Sequence, residues 1–333
     1  MIKLNTIDAD TLMSTPLPVT RFIVEGLLPE GLHILAGSPK IGKSWLALWI
    51  CLKVSKGEPV WELPVAQGTI LYLCLEDSYA RIQSRLFQIT DDAPNTLHFA
   101  NLSNSIGDGL ENQITSFLTE HPDTNLIVID TLQKIRDIVP DSNSYANDYR
   151  DLSMLKNLAD KNHIAILLIH HLRKMKDDDP MNMISGTTGL SGATDSNFVL
   201  KRKDRNSPHA ELHCTGRDIE SRVLELSFQK ETHTWELVNP LEEETISIDP
   251  ELNSLSVFLK RLHAFTGTAT ELSTLLEHET GEIITPSVLS KKLTTHTSGL
   301  DKLGIRVSAS RTREARQLHI RCDSCDSSDG KNG

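Results

Sequence analysis

The residues Gly37-Ser38-Pro39-Lys40-Ile41-Gly42-Lys43-Ser44 fit the pattern GxxxxGK[ST] in full. Chemistry sets that spacing. Glycines let the backbone fold around phosphate oxygens without a Cβ in the way, and amides at a helix start point at the anion. The lysine of the pattern reaches the β- and γ-phosphates, and the hydroxyl after it ligates Mg²⁺. Lys43 and Ser44 hold those places, with Trp45 beside them. An apolar run at 32–36 leads in and a helix-like run at 44–54 leads out, the context this motif requires. The stretch therefore reads as a binding loop for ATP with Mg²⁺.

A metal at such a loop needs a second carboxylate. The apolar run 126–129 ends in Asp130, which is placed to hold Mg²⁺ through water together with Ser44. Hydrolysis also needs a base that orients water. Glu76 and Asp77 close the β-type run 69–75. If that strand neighbours the loop-bearing strand, its end lies beside the γ-phosphate, where open α/β sheets take their ligands. Glu76 is the candidate base; Asp77 is the alternative, or else the cap of a helix from Ser78. His170 and His171 end the apolar run 164–169. An imidazole there can contact the γ-phosphate and report its loss, or be satisfied by turn carbonyls.

These groups make a site only if the strands that carry them share one sheet edge. The runs 32–36, 69–75, 96–100, 126–129 and 164–169 lack apolar/polar alternation, as parallel strands covered on both faces do. Helix-length segments at 44–54, 78–89, 109–120 and 145–161 separate them. The alternation predicts an α/β fold with a mostly parallel sheet. Shorter runs at 198–202, 210–214, 223–228 and 234–238 predict an antiparallel extension of that sheet. After an acidic, proline-bearing linker, candidate helices at 255–262, 270–276 and 287–293 precede a hairpin at 305–308 and 317–320. Three helices and a hairpin are the pattern of a winged helix. The chain thus divides into an N-terminal arm (1–25), an ATPase domain (26–240), a linker (241–253), a winged-helix-like domain (254–322) and a disordered tail (323–333).

The net charge of -11 argues against a protein that coats nucleic acid over its whole surface. Residues 254–321 nevertheless carry ten basic and six acidic side chains, a local +4. The five cysteines fit reduced thiols, and a single CxxC at Cys322 and Cys325 is short of the four ligands of a zinc site. Neither a secretory leader nor an apolar run long enough to span a bilayer is visible, so a cytoplasmic protein is expected.

With these residues placed, the chain resembles the RecA-like ATPases, and among them the plasmid RepA-type hexameric helicases and their relatives on mobile elements. The resemblance rests on GSPKIGKSWLAL, LYLCLED followed by Arg81 and Arg85, LIVIDTLQKI, LLIHHLRK and SGTTGLSGATDS. It implies a hexameric ring that hydrolyses ATP between subunits and grips single-stranded DNA in its channel. Glu76 then resembles the catalytic glutamate, Asp130 the Mg²⁺ carboxylate, and His170 or His171 the strand-end sensor. Arg173, Lys174 and Lys176 occupy the position of a DNA-contacting loop, although Asp177–Asp179 follow directly and a solvated loop fits as well. Arg217 resembles a finger reaching into a neighbour's site, with Thr215 where a lysine often stands. The C-terminal segment is similar to winged-helix domains attached to such ATPases. Lys291 and Lys292 would lie on its recognition helix and Arg311, Arg313 and Arg316 at its wing, touching duplex phosphates. A protein-docking helical domain is the alternative there.

Overall fold

The computed structural model describes residues 4, 6–14, 20–136, 144–172, 177, 179–184, 188–202, 204, 207–239, 250–297, 300, 303–311 and 316–322. The chain forms two compact units, Thr20–Leu241 and a second made of Met1–Val19 with Glu242–Gly333.

The larger unit opens with a short antiparallel pair, β1 (Phe22–Val24) and β2 (Leu28–Pro29). Its main sheet is built from β3 (Gly31–Gly37), β4 (Thr69–Cys74), β5 (Leu97–Ala100), β6 (Thr124–Asp130), β7 (Ala165–His171), β8 (Ser196–Lys201), β9 (His209–Gly216), β10 (Arg222–Gln229) and β11 (Thr234–Leu237). The strands lie in the order β11-β10-β9-β8-β3-β7-β6-β4-β5, parallel from β8 to β5 and antiparallel from β8 to β11. Two sequence expectations change here. The run at 198–202 reads as part of the antiparallel extension, yet β8 pairs parallel with β3, because the crossover before it returns the chain in the same direction. The strand ending before Glu76 does not neighbour β3; β7 and β6 stand between them.

Strands β3, β4 and β6 are buried at every residue, which is why their sequences run apolar without alternation. Alternate side chains feed two cores. Leu35, Tyr72, Val128 and Leu167 face one way, and Ile34, Leu73, Ile129 and Leu168 face the other. Each such aliphatic side chain contributes about 1.5–3 kcal/mol by leaving water. Helix α2 (Lys43–Lys56) is apolar on nearly all sides, since it is packed between the sheet and the extension strand β11. Gly57, in the left-handed region at φ 72°, ends it. Helix α3 (Tyr79–Ile89) is amphipathic, buries Ile82 and starts where the Ser78 hydroxyl accepts from the Arg81 amide. Helices α4 (Leu110–Glu120), α5 (Ser144–Asn162) and α6 (Thr188–Ala193) complete the unit.

The second unit contains α1 (Ala9–Ser14), α7 (Pro250–Leu262), β12 (Ala264–Gly267), α8 (Ala269–Thr280), α9 (Pro286–Thr295), β13 (Ile305–Arg311) and β14 (Arg316–Cys322). Its strands form a small antiparallel sheet in the order β12-β14-β13 around a core of Leu259, Leu272, Leu289, Ile305 and Ile320. Sequence reasoning finds the three helices and the hairpin but not β12, which is too short and too exposed to show a pattern. Helix α8 opens with a capping box between Thr268 and Glu271. Among the described residues, no helix is long and apolar enough to cross a membrane.

Candidate nucleotide site

The phosphate-loop motif sits where β3 turns into α2. Gly37 ends the strand, Ser38, Pro39 and Lys40 are exposed, and Ile41 is buried. Gly42 takes φ 109°, a conformation that favours glycine, and supplies no side chain to cap the helix. The first amides of α2 are thereby left without a side-chain acceptor from the cap position, as an anion site requires. Gly42 also has a second constraint. A Cβ there would lie 2.9 Å from the Trp235 ring, because that indole on β11 rests on the loop and approaches the Gly42 carbonyl with its Nε1 at 3.3 Å.

Lys43 is folded back on the loop. Its Nζ donates to the carbonyls of Gly37 (2.8 Å) and Ser38 (3.1 Å) and lies 3.4 Å from His171 Nδ1. Burial brings its pKa down to about 8, with Asp130 and Glu76 pulling the other way. Of the histidine pair, His171 is the one at the loop. In register, His170 pairs with Ala36 and His171 with Gly37, so His170 projects from the opposite face of β7 and is buried.

Asp130, at the end of β6, is buried at 5% exposure. Tyr72 donates to Oδ2 at 3.0 Å, and the Ser44 hydroxyl lies near enough to the same carboxylate to favour its charged form. Burial raises its pKa above the ordinary value despite those bonds. Glu76 is exposed, and its Oε1 accepts from the Thr131 hydroxyl at 3.1 Å. So β4 reaches the site through the end of β6 rather than beside β3. Asp77 is held differently, between Arg81 Nη1 at 2.7 Å and Arg85 Nη1 at 2.6 Å. The Arg85 guanidinium also lies 5.5 Å over the Trp45 ring, whose centroid is 4.7 Å from that of His233.

Arg217 lies elsewhere. Strand β9 ends at Gly216 opposite Ser196, so Arg217 emerges at the N-terminal edge of the parallel strands, away from the loop. Its Nη1 is 3.4 Å from Asp195 Oδ1 and its side chain is 62% exposed. Asp195 is buried, accepts from the Leu32 amide at 2.8 Å and pairs with Lys156 at 2.9 Å. Arg173, Lys174, Lys176, Arg313 and Cys325 lie outside the described residues, as do 240–249 and 323–333. What is described of the expected DNA loop includes a bridge between Leu172 and Ile184, which brings its two ends together. Lys291 is exposed and Lys292 half-buried on α9, while Arg311 and Arg316 belong to β13 and β14. Among the described residues, no group of three or more His, Cys, Asp or Glu side chains could hold a metal alone.

Sequence reasoning gives Tyr72, Thr131, Arg85 and Trp235 no role in this neighbourhood, although the first three fall in or beside the quoted motifs. A polar-tipped Tyr72 inside an otherwise apolar strand is the one local signal; Trp235 gives none, being 193 residues from its partner Gly42.

Known proteins share the fold of the larger unit. The sequence is 25% identical over 311 residues to the DNA repair protein RadA of Streptococcus pyogenes serotypes M6 and M1, covering 90% of this chain. The chain spans about 60% of the length of these curated relatives. Among solved structures, one isolated ATPase domain superposes with a TM-score of 0.53 at 15% identity, over 63% of this chain and 85% of that one. A DnaB-like replicative helicase, solved with a view to its interactions with primase, gives 0.52 at 15% identity, over 64% of this chain and 59% of that one. These likenesses establish the RecA-like core. Residues 2–177, more than half of the sequence, match the AAA domain of the AAA_25 family, and the chain belongs to that family of P-loop ATPases.

Proposed function

We propose that this ATPase is a DNA-dependent motor of the plasmid RepA type, a ring helicase or helicase loader serving replication of a plasmid or integrated mobile element. One observation carries the reading: Lys43, Ser44, Asp130, Glu76 and His171, drawn from four elements, converge on one sheet edge. In this reading Lys43 leaves the loop carbonyls for the β- and γ-phosphates of ATP. Ser44 and Asp130 would hold Mg²⁺; both offer hard oxygens, and the Tyr72 hydroxyl is the side chain that donates to the buried carboxylate. Mg²⁺ bound there supplies charge neutralisation on the phosphate oxygens. Glu76 takes the proton of the attacking water as its oxygen bonds to phosphorus and the bridging P–O bond to the leaving diphosphate breaks. Glu76 is favoured over Asp77 because two guanidiniums already occupy Asp77. His171 reports loss of the γ-phosphate through Lys43 and the following loop.

Arg217 serves as the finger for a neighbour's site in a homo-hexamer. Its exposure and its distance from its own loop support a role in trans. Single-stranded DNA is gripped by Arg173, Lys174 and Lys176. The 254–322 domain, as a winged helix, brings Lys291, Lys292, Arg311 and Arg313 to duplex phosphates; α9 itself contains no acidic residue. The RadA similarity, over 90% of this chain, favours a second reading, a repair-type ATPase that does not unwind.

ATP turnover with and without single-stranded DNA tests the proposal, with strand displacement on a forked duplex and molecular mass with and without ATP. Stimulation by DNA, unwinding and a ring are expected. Stimulation without unwinding selects the second reading, and turnover indifferent to DNA in a monomer overturns both.

A further inference from the structure

Tyr72 and Asp130 sit on neighbouring strands in a relation fixed by the sheet. Tyr72 pairs in register with Val128, and Asp130 lies two residues further along β6 on the same face. The phenol closes the remaining diagonal and donates to Asp130 Oδ2 at 3.0 Å. Both side chains are buried, Tyr72 at 1% exposure and Asp130 at 5%. The ring is immobilised by the core under α2 and by Phe99, whose centroid is 5.9 Å away. The donor is therefore fixed before any ligand arrives. A phenylalanine would fill the same core space, so packing alone does not call for the hydroxyl.

We propose that Tyr72 is a positioning residue whose phenol fixes the Asp130 carboxylate beside the Ser44 hydroxyl and so sets the affinity of the nucleotide complex for Mg²⁺. This rests on the assignment of Asp130 to the metal in the reading above. A donor to a metal-holding carboxylate orients it and tunes its charge, and losing such a partner typically weakens metal binding about 10- to 100-fold.

The experiment is a Mg²⁺ titration of fluorescent N-methylanthraniloyl-ATP binding to the full chain, beginning in EDTA. Tyr72→Phe should raise the Mg²⁺ midpoint about tenfold and leave metal-free nucleotide affinity within about twofold. A purely structural role would lower both affinities together, and an unchanged Mg²⁺ midpoint overturns the proposal. Asp130→Asn separates the two levels of failure. If Asp130→Asn shifts the midpoint and Tyr72→Phe does not, only the tyrosine's role falls. If neither does, the metal assignment falls and takes the tyrosine with it. In the double variant Tyr72→Phe should add nothing to Asp130→Asn; an additive effect counts against the proposal. Should Tyr72→Phe fail to fold, the unaltered protein provides the answer by infrared difference spectroscopy. A tyrosine C–O band should shift when Mg²⁺ joins the nucleotide complex, and Asp130→Asn should abolish that shift; no shift overturns the proposal.

Discussion

The two edges of the parallel sheet each bury a carboxylate, and the two are treated in opposite ways. At the C-terminal edge Asp130 has the Tyr72 hydroxyl as donor, the Ser44 hydroxyl nearby and a raised pKa. At the N-terminal edge Asp195 has the Leu32 amide, Lys156 and Arg217, so two cations and a backbone donor balance one charge. A buried carboxylate is costly unless it is paired. Asp195 is paired within its own chain and works as a structural tie. It presses so closely on β3 that a Cβ at Gly31 would lie 2.3 Å from its Oδ2. Asp130 makes no such ion pair among the described residues; Arg85 and Lys43 act on it only at longer range, and a carboxylate without a direct cation is what a site for a divalent cation needs. Burial depth is nearly the same at both edges; the partners distinguish a site from a strut.

Substitutions can break this contrast. The largest effect should come from Lys43→Ala, which is expected to abolish ATP binding or turnover; normal turnover would end the assignment of the C-terminal edge. Arg217→Ala should lower turnover about 10³-fold while sparing nucleotide binding, the signature of a finger acting in trans. Its melting temperature should barely move, because the exposed side of that ion pair is worth about 0–1 kcal/mol. Asp195→Ala is expected to cost about 1.5–3 kcal/mol in urea denaturation, since it strands the buried Leu32 amide while Lys156 keeps its second partner, Asp160. A mild loss would mean that Asp195 is not the tie described above.

The same edge should also respond to acid. His33, fully buried near Asp195 and bonded through Nε2 to the Pro29 carbonyl, has its pKa lowered by desolvation to about 4. The unfolded chain binds a proton near pH 6.5 that the folded chain refuses. Stability should therefore fall as pH drops from about 6.5 to about 4, by about 3 kcal/mol from this group. Denaturation midpoints for His33→Gln should show a flatter slope over that range. The smallest effect is expected for Asp130→Asn, within about 1 kcal/mol of the parent stability, because it removes a buried charge that no ion pair offsets. A large destabilisation would make Asp130 a strut as well.

How much of this is legible in the sequence follows from the range of each signal. The phosphate loop, the runs ending in Asp130 and in His170-His171, and the α/β rhythm are local patterns, and they stand out. The direction of β8 is not local, because it depends on where the chain re-enters the sheet. Glu76 is found for a reason that the topology changes: its strand lies three places from β3, and its link to the site is Thr131, just past β6. Between the two histidines only register decides, since neighbouring residues of a strand face opposite ways. Arg217 is readable as an arginine at a strand end, but its pairing with Asp195 comes from two segments that sequence separation keeps apart. Trp235 and Tyr72 have identities that fit a plain core, and only their partners give them a further meaning.

The indole of Trp235 resting on Gly42 also has a consequence for the order in which the protein is made. The phosphate motif leaves the ribosome well before β11, the strand that provides the contact covering it. During synthesis the loop is exposed until β11 emerges and docks, and Trp61, whose Nε1 donates to the Trp235 carbonyl at 2.7 Å, waits equally long. A nascent chain therefore carries the recognisable motif well before it carries a finished pocket. A fragment cut at the end of the family match, near Asp177, would keep every motif residue and lack the wall that encloses them.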